Sequence, residues 1–410
     1  MRKISQIPLY ILTIYPLLAF ITLYFFNAAI DNVSAAVFLL FMLIILGDKL
    51  LYRRTIALPP YLIFFIFFSI YVFIVDFYPH HGSLKAALSK IHLWEYSKTI
   101  IICFIIENII VDVKFIRHCH SILITTLIAA MVVMIFQFFE PTFFQSPLVI
   151  EFYKGDLSEN RDSIFSWISA NALSLSLVPI FSLVYGLNNY LKKNNLITII
   201  TGLFSTFFSG ARSTMVALFV NLIFQTTFET KRKFSKITWL ILVVGLLAFS
   251  LNLVLGLMGF DLQSFIQNRI LSDSASTRLL AWEMFLKFFP ENFLFGTGGI
   301  KQADLIRELA GRSSQIHVGF LSLFYYYGIF GGVIFIVFLF TLLKKIKRTA
   351  VKSGFWGSYF SIISFIIANF TLVYLHIYEY GLLLALAYNR FFEEKNRYAQ
   401  KEKLTIVNDT

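Results

Sequence analysis

NLITIITGLFSTFFSGARSTMVALFVNLIF, residues 195–224, sets two apolar runs around the short break SGARST and drops one arginine, Arg212, into it. Neither run alternates in polarity as a barrel strand would. Both read instead as helices entering a hydrocarbon layer of about 30 Å, which a helix rising 1.5 Å per residue crosses in about 20 residues. The first run is short for a complete crossing, so Arg212 is expected slightly below the outer membrane surface. An arginine at a span end has an ordinary explanation, snorkelling of its guanidinium to the interface. Below the surface it requires an anion or a paired acid. The small residues Ser209, Gly210 and Ala211 beside it let the backbone turn and a bulky group approach.

The whole chain repeats this pattern. Of 410 residues 58% are hydrophobic and 14% charged, with 48 Phe and 20 Tyr; soluble chains carry roughly 25% charged residues. Apolar runs near 8–27, 32–48, 59–77, 96–113, 120–139, 168–187, 194–209, 213–229, 238–258, 317–342, 355–375 and 378–391 predict an all-α polytopic membrane protein of about twelve transmembrane helices. Residues 1–410 form a single integral membrane domain in this reading. The first run follows Arg2 and Lys3 like a signal peptide, but it is too long for a typical apolar core of one and is read as an uncleaved span. Two cysteines, Cys103 and Cys119, are too few for a disulfide framework.

The net charge of +12 does not call for nucleic acid. With a cytoplasmic N-terminus, most of the 35 lysines and arginines fall on the inside, in DKLLYRR, VDVKFIRH, NNYLKKNN, ETKRKFSK, KKIKRTAVK and the tail, as the positive-inside rule requires. The outside then receives 78–95, 140–167 and the longest loop, 259–316. Within the last, residues 276–289 set Leu279, Trp282, Leu286 and Phe289 on one helical stripe, which predicts a short amphipathic helix lying at the membrane surface or packed on the bundle. Pro290 stops it, and GTGG at 296–299 is expected to be a flexible turn.

Arg212 therefore lies outside, where the charge rule predicts few cations. Arg278 opens the amphipathic segment after SDSAST. A cation at a helix N-terminus is slightly unfavourable, yet free N–H groups and a guanidinium aimed at one oxyanion make a phosphate site. His317 begins the tenth span on the same side, ahead of glycines 328, 331 and 332, which permit close helix approach. Arg161 is a further outside cation, with Asp162 as a ready partner. The aromatic run Phe324 to Tyr327 could stack on sugars, but in a chain 18% aromatic it is read as packing. The sequence has no HExxH, DxD, cysteine cluster, P-loop or dinucleotide fingerprint, so neither a metal nor a cofactor is expected. Glu95 and Glu107 lie along the fourth span, and Glu107 leaves an ion or proton pathway open. Several guanidinium groups at a membrane surface suit a diphosphate that is itself anchored in the membrane.

The ordered set RDSIFSWISANALSLS (161–176), SGARSTMVALFV (209–220), TRLLAWEMFLKFFPENFLFGTGG (277–299) and HVGFLSLFYYYGIFGG (317–332) resembles the O-antigen ligase and O-antigen polymerase superfamily of bacterial envelope glycosyltransferases. The resemblance covers about a quarter of the chain, with the large periplasmic loop placed before the histidine. It implies a metal-independent, inverting glycosyl transfer at the periplasmic face of the inner membrane, from an undecaprenyl-diphosphate-linked oligosaccharide. Carried over by motif, Arg212 and Arg278, with Arg161 in reserve, would hold the diphosphate, and His317 would orient the acceptor hydroxyl or take its proton. Ligases usually place an asparagine immediately after this histidine, whereas Val318 and Gly319 stand here. That departure favours a polymerase, which moves the growing glycan onto the next lipid-linked repeat unit, over a ligase, which moves it onto the lipid A core. A chain-length regulator and a flippase are the partners such a polymerase would work beside. A flippase or secondary transporter without chemistry remains the reading from another class, although its charges should line a midplane cavity rather than one face.

Overall fold

The computed structural model describes residues 6–22, 27–77, 91–139, 174–208, 212–229, 275–296, 298, 318–370 and 381–408, and, in isolation, Gly245 and Gly256. All regular elements among them are helices: α1 Ile7–Thr22, α2 Asn27–Leu51, α3 Pro60–Phe77, α4 Ile91–Asn108, α5 Val113–Phe139, α6 Ser174–Tyr190, α7 Leu196–Phe208, α8 Arg212–Glu229, α9 Ala275–Phe288 with a 3-10 turn Phe289–Asn292, α10 Gly319–Ser353, α11 Gly357–Asn369 and α12 Gly381–Asn408. The all-α expectation is met. The count of about twelve crossings is not reached on these residues. α5 and α10 are long and apolar enough to cross a membrane by themselves, and five shorter apolar segments, within α1, α3, α7, α8 and α11, accompany them. Of the expected span 238–258 only Gly245 and Gly256 are described, both helical.

Polarity runs opposite to that of a water-soluble bundle. On α8, Asn221 and Gln225 are wholly buried, while Phe219, Ile223, Phe224 and Phe228 are exposed. Leu39, Leu40, Leu43 and Ile44 of α2 and Phe67, Ile70 and Ile74 of α3 are likewise exposed. Apolar side chains outside and amides inside suit a hydrocarbon surrounding, because it cannot satisfy a polar group and loses nothing by touching an apolar one. Asn221 donates to the hydroxyls of Ser182 and Ser364, Gln225 donates to the Ser182 carbonyl at 2.9 Å, and Tyr185 and Thr226 share a 2.7 Å hydrogen bond. These bonds tie α6, α8 and α11 together. Close approach helps: a Cβ at Gly186 would stand 2.8 Å from the Gly357 backbone, so the glycines are what allow α6 and α11 to touch.

Hydrogen bonds also fix which helix ends share an end of the bundle. Ala57 and Asn108 bond reciprocally, Tyr61 donates to Glu107 at 2.8 Å, and Lys345 of α10 reaches the same carboxylate. The Val111 N–H reaches Glu394 at 3.3 Å, His120 pairs with Asn188 at 2.9 Å, and Asn188 donates to Thr198 at 3.1 Å. At the start of α11 the Trp356 N–H donates to Glu229, an anion placed favourably at a helix N-terminus. The starts of α3, α5, α7 and α11 and the ends of α2, α4, α6, α8 and α10 therefore gather at one end. It carries the basic segments around Lys49, Lys114, Lys192 and Lys344, which we term the basic end. Their convergence matches the single-sided placement expected from the sequence.

Several boundaries moved. α5 begins at Val113 instead of 120, so the basic segment VKFIRHCH is its first two turns rather than a loop. α10 runs eleven residues past the expected end at 342, carrying its lysines out on helix until Gly354 at φ 75° closes it with an N–H bond to Ala350. Cys103 and Cys119 are free and buried, as their apolar setting suggested.

Candidate functional site

The end opposite the basic one is where α7 finishes, α8 starts at Arg212, α3 finishes past Asp76, and α10 starts after Val318. α11 also finishes there, Phe370 packing on Phe320 of α10 with ring centroids 5.0 Å apart. Arg212 is the first residue of α8, and Arg278 lies in the first turn of α9. Both arginines thus sit at helix N-termini, where unpaired N–H groups and the helix dipole already favour an anion. Their backbones are described, and their side chains are not. His317 and Arg161 lie outside the described residues, His317 immediately before Val318, an extended residue at φ −141° that caps α10.

The amphipathic segment forms α9, and of the two placements its pattern allowed the helix packs on the bundle through one edge while part of its apolar stripe stays exposed. Trp282 is 49% and Leu286 65% exposed, whereas Met284, Phe285 and Phe288 pack against the core. In a hydrocarbon surrounding an apolar side chain need not face the protein, so Trp282 and Leu286 stay outside while the neighbouring edge of Met284, Phe285 and Phe288 makes the contact.

After the 3-10 turn the chain docks on α10. Ile329 and Phe330 donate their N–H groups to the carbonyls of Phe293 and Leu294 at 2.7 and 3.2 Å, and the Gly298 N–H donates to the Tyr326 carbonyl at 2.9 Å. The Tyr71 hydroxyl of α3 lies 2.9 Å from the Phe295 carbonyl and 3.1 Å from that of Tyr327, bridging both strands of this seam. The seam exists because α10 breaks at Gly328, at φ 62° and ψ −169°, a conformation open to glycine and closed to residues with a Cβ. The break frees backbone groups that the loop then satisfies. A Cβ at Gly328 would stand 2.4 Å from the Leu294 carbonyl oxygen, and one at Gly296 2.2 Å from that of Tyr326.

The turn expected to be flexible is therefore pinned where it is described, at Gly296 and Gly298. Gly328, Gly331 and Gly332 of α10 also divide their tasks. Gly331 lets Tyr71 of α3 approach, in line with close helix packing; Gly332 makes room for the Phe324 ring of its own helix; Gly328 admits the loop. Tyr325, Tyr326 and Tyr327 are buried, so this stretch of the aromatic run is packing.

Beneath the seam lies Asp76, 2% exposed in the last turn of α3, with the Tyr327 hydroxyl donating to it at 3.5 Å. A Cβ at Gly298 would stand 3.3 Å from Asp76 Oδ1, so the turn runs directly over the carboxylate. Neither Asp76 nor Tyr71 stood out in the sequence reading. A signal was available: Asp76 is the single acid in PYLIFFIFFSIYVFIVDF, and an ionisable residue at the end of so apolar a run is costly without a purpose. Glu107, which had left an ion pathway open, is instead held by Tyr61 and Lys345 at the basic end.

Residues 197–336 match the family model described as O-antigen ligase. The matched segment spans nearly all of α7, all of α8 and α9, the docked turn and the first half of α10. It includes Arg212, Arg278 and His317 and the seam around Gly328, and leaves out Arg161, Asp76 and the cations of α2, α10 and α12 at the basic end. The family is one of membrane-associated, glycosyl-transferring proteins of the O-antigen ligase and polymerase type. No curated protein matches the chain.

Proposed function

We propose that the protein is a polymerase of the O-antigen ligase and polymerase superfamily, a reading supported by the match of residues 197–336 to the O-antigen ligase family model. It transfers a growing glycan from undecaprenyl diphosphate to the next lipid-linked repeat unit, at the periplasmic face of the inner membrane, with both termini cytoplasmic. One observation carries the assignment of the site: Arg212 and Arg278 both stand at helix N-termini within the family segment, and α8 begins at the end of the bundle where α10 starts next to His317.

In this reading charge accumulates on the diphosphate as the glycosidic bond to it breaks. Guanidinium groups backed by helix N-termini are fixed donors for that charge and need no metal to help them. A diphosphate leaves readily, so a general acid is dispensable. His317, at the mouth of α10, orients the acceptor hydroxyl or takes its proton. Arg161 is the additional cation for the donor. The seam beneath holds α9 and α10 at a fixed spacing, which transition-state stabilisation demands of groups on separate helices. Valine after the histidine, where ligases usually carry asparagine, favours elongation over transfer to a lipid A core.

The test is glycan length in cells carrying Arg212→Ala or Arg278→Ala at unchanged protein abundance. Only single-repeat glycans are expected, a loss of 10²-fold or more in chain extension for a missing charge-stabilising donor. Normal long chains in either variant would remove the diphosphate role. Long chains that persist on undecaprenyl diphosphate but fail to reach the lipid A core would identify a ligase.

A further inference from the structure

At the basic end α2, α3, α10 and α12 enclose a cavity of about 840 Å³. Its lining is strongly cationic: Lys49, Lys344, Arg348, Lys352, Arg390 and Arg397 face it, and its acids among the described residues are Glu107 and Glu393. Both acids are already engaged. Glu107 takes Tyr61 and Lys345, and Glu393 is shared by Lys345, Arg390 and Arg397. That sharing holds the Glu393 carboxyl below the usual range although burial pushes it upward, against the three cations.

Positive charge is therefore left over, and it has a direction. Lys344, Arg348 and Lys352 recur every fourth residue along α10, all exposed. Two buried donors on α12, Arg390 Nε and Asn396 Nδ2, have no acceptor among the described residues, and both residues line the cavity. A guanidinium N–H and an amide N–H can only donate, so what satisfies them must bring oxygens.

The same ridge of α10 continues away from the basic end as Phe340 and Ile336, 64% and 47% exposed. One face of one helix thus passes from exposed hydrocarbon to cations within a single turn, between Phe340 and Lys344. An acyl chain lies against the first part while its headgroup reaches the second. Leu58, Pro59 and Pro60 add apolar surface to the cavity's lining.

We propose that this cavity is a binding site for the phosphate headgroup of an anionic phospholipid of the leaflet at the basic end, its acyl chains lying along Ile336 and Phe340. Basic pockets between membrane helices recognise such headgroups by charge and by donors set at the interface. A free phosphate shares the headgroup chemistry but makes no use of the apolar ridge. The site lies at the other end of the bundle from the proposed transfer chemistry and does not depend on that reading.

The experiment is native mass spectrometry of the full-length protein, purified from nanodiscs of phosphatidylglycerol and phosphatidylcholine, with retained lipid counted. The intact protein should keep phosphatidylglycerol and exclude phosphatidylcholine. K344Q/R348Q/K352Q changes exposed residues only, and should lower phosphatidylglycerol retention at least about tenfold, since each basic side chain near an anionic surface contributes noticeably to lipid attraction. K114Q/R117Q/K347Q removes the same charge outside the cavity and should keep the lipid. Equal losses in both variants would reduce the effect to diffuse attraction and overturn the site, as would undiminished retention in the first. Displacement of the lipid by millimolar inorganic phosphate alone would overturn the lipid assignment.

Discussion

The two ends of the bundle are held by different chemistry. At the basic end, side chains do the joining: Glu107 on α4 brings in Tyr61 of α3 and Lys345 of α10, while Glu229 reaches from α8 to the N–H of Trp356, the residue that caps α11. At the opposite end the backbone does it, through the seam of 293–298 on 326–330 with the Tyr71 hydroxyl as bridge. The difference follows from what each end has to do. Ion pairs tie helices that enter at their termini and tolerate some sliding. A backbone seam fixes register to within a hydrogen bond, which suits the end where, in the proposed function, α9 and α10 hold groups against one substrate.

Breaking the seam should have the largest effect. Gly328→Ala imposes a Cβ on a positive φ and drives it into the Leu294 carbonyl, a backbone atom that cannot swing away. Strain and overpacking together predict a loss of about 4 kcal/mol in unfolding of the purified protein, together with loss of chain extension. Full activity in this variant would show that the register of the seam is immaterial.

The basic end should yield less to a single change. Glu107→Gln keeps the shape and the acceptor for Tyr61 but leaves the Lys345 ammonium, which is 18% exposed and can turn outward, with only the longer 3.7 Å contact to Glu393. The expected loss is about 2 kcal/mol, below the range for fully buried pairs, with polymer length unaffected. Adding Lys345→Met should restore most of that stability. A drop in polymer length with stability intact would mean that the two ends are coupled.

Tyr71→Phe is the mildest probe. One hydroxyl proton serves two carbonyls there, so its removal should cost about 1 kcal/mol. The proposal about register is sharpened if chain length shortens while thermal stability barely moves.

The helical class was open to reading because its cause is local. A run such as PYLIFFIFFSIYVFIVDF satisfies its own backbone only as a helix once it is surrounded by hydrocarbon, whatever its neighbours are. The gathering of lysines at one end was equally legible, since topology follows the charge of each loop. Arg212 and Arg278 were visible because a cation in an apolar or N-terminal setting is unfavourable in itself, and that cost is written in the adjacent residues.

Asp76 and Tyr71 were not visible in that way, because their importance comes from a turn more than 200 positions away. Nor could periodicity say that α9 would turn Phe285 and Phe288 inward and leave Trp282 and Leu286 outside. Amphipathic pattern fixes a direction in water and loses that authority in lipid, where both faces are at ease.

By itself, then, the amino-acid order pointed to a helical membrane protein with its basic segments gathered on one side and to the cations that stand apart from them. Those are properties of a segment and its solvent. Only the tertiary structure decided that Gly328 breaks α10 so that the turn at Gly296 can seat on it, that Asp76 lies under that seat, and that Lys344, Arg348 and Lys352 border a cavity with donors to spare. Each of these depends on backbone or side-chain groups from distant segments meeting within about 3 Å, the range of a hydrogen bond, and no single segment carries that information.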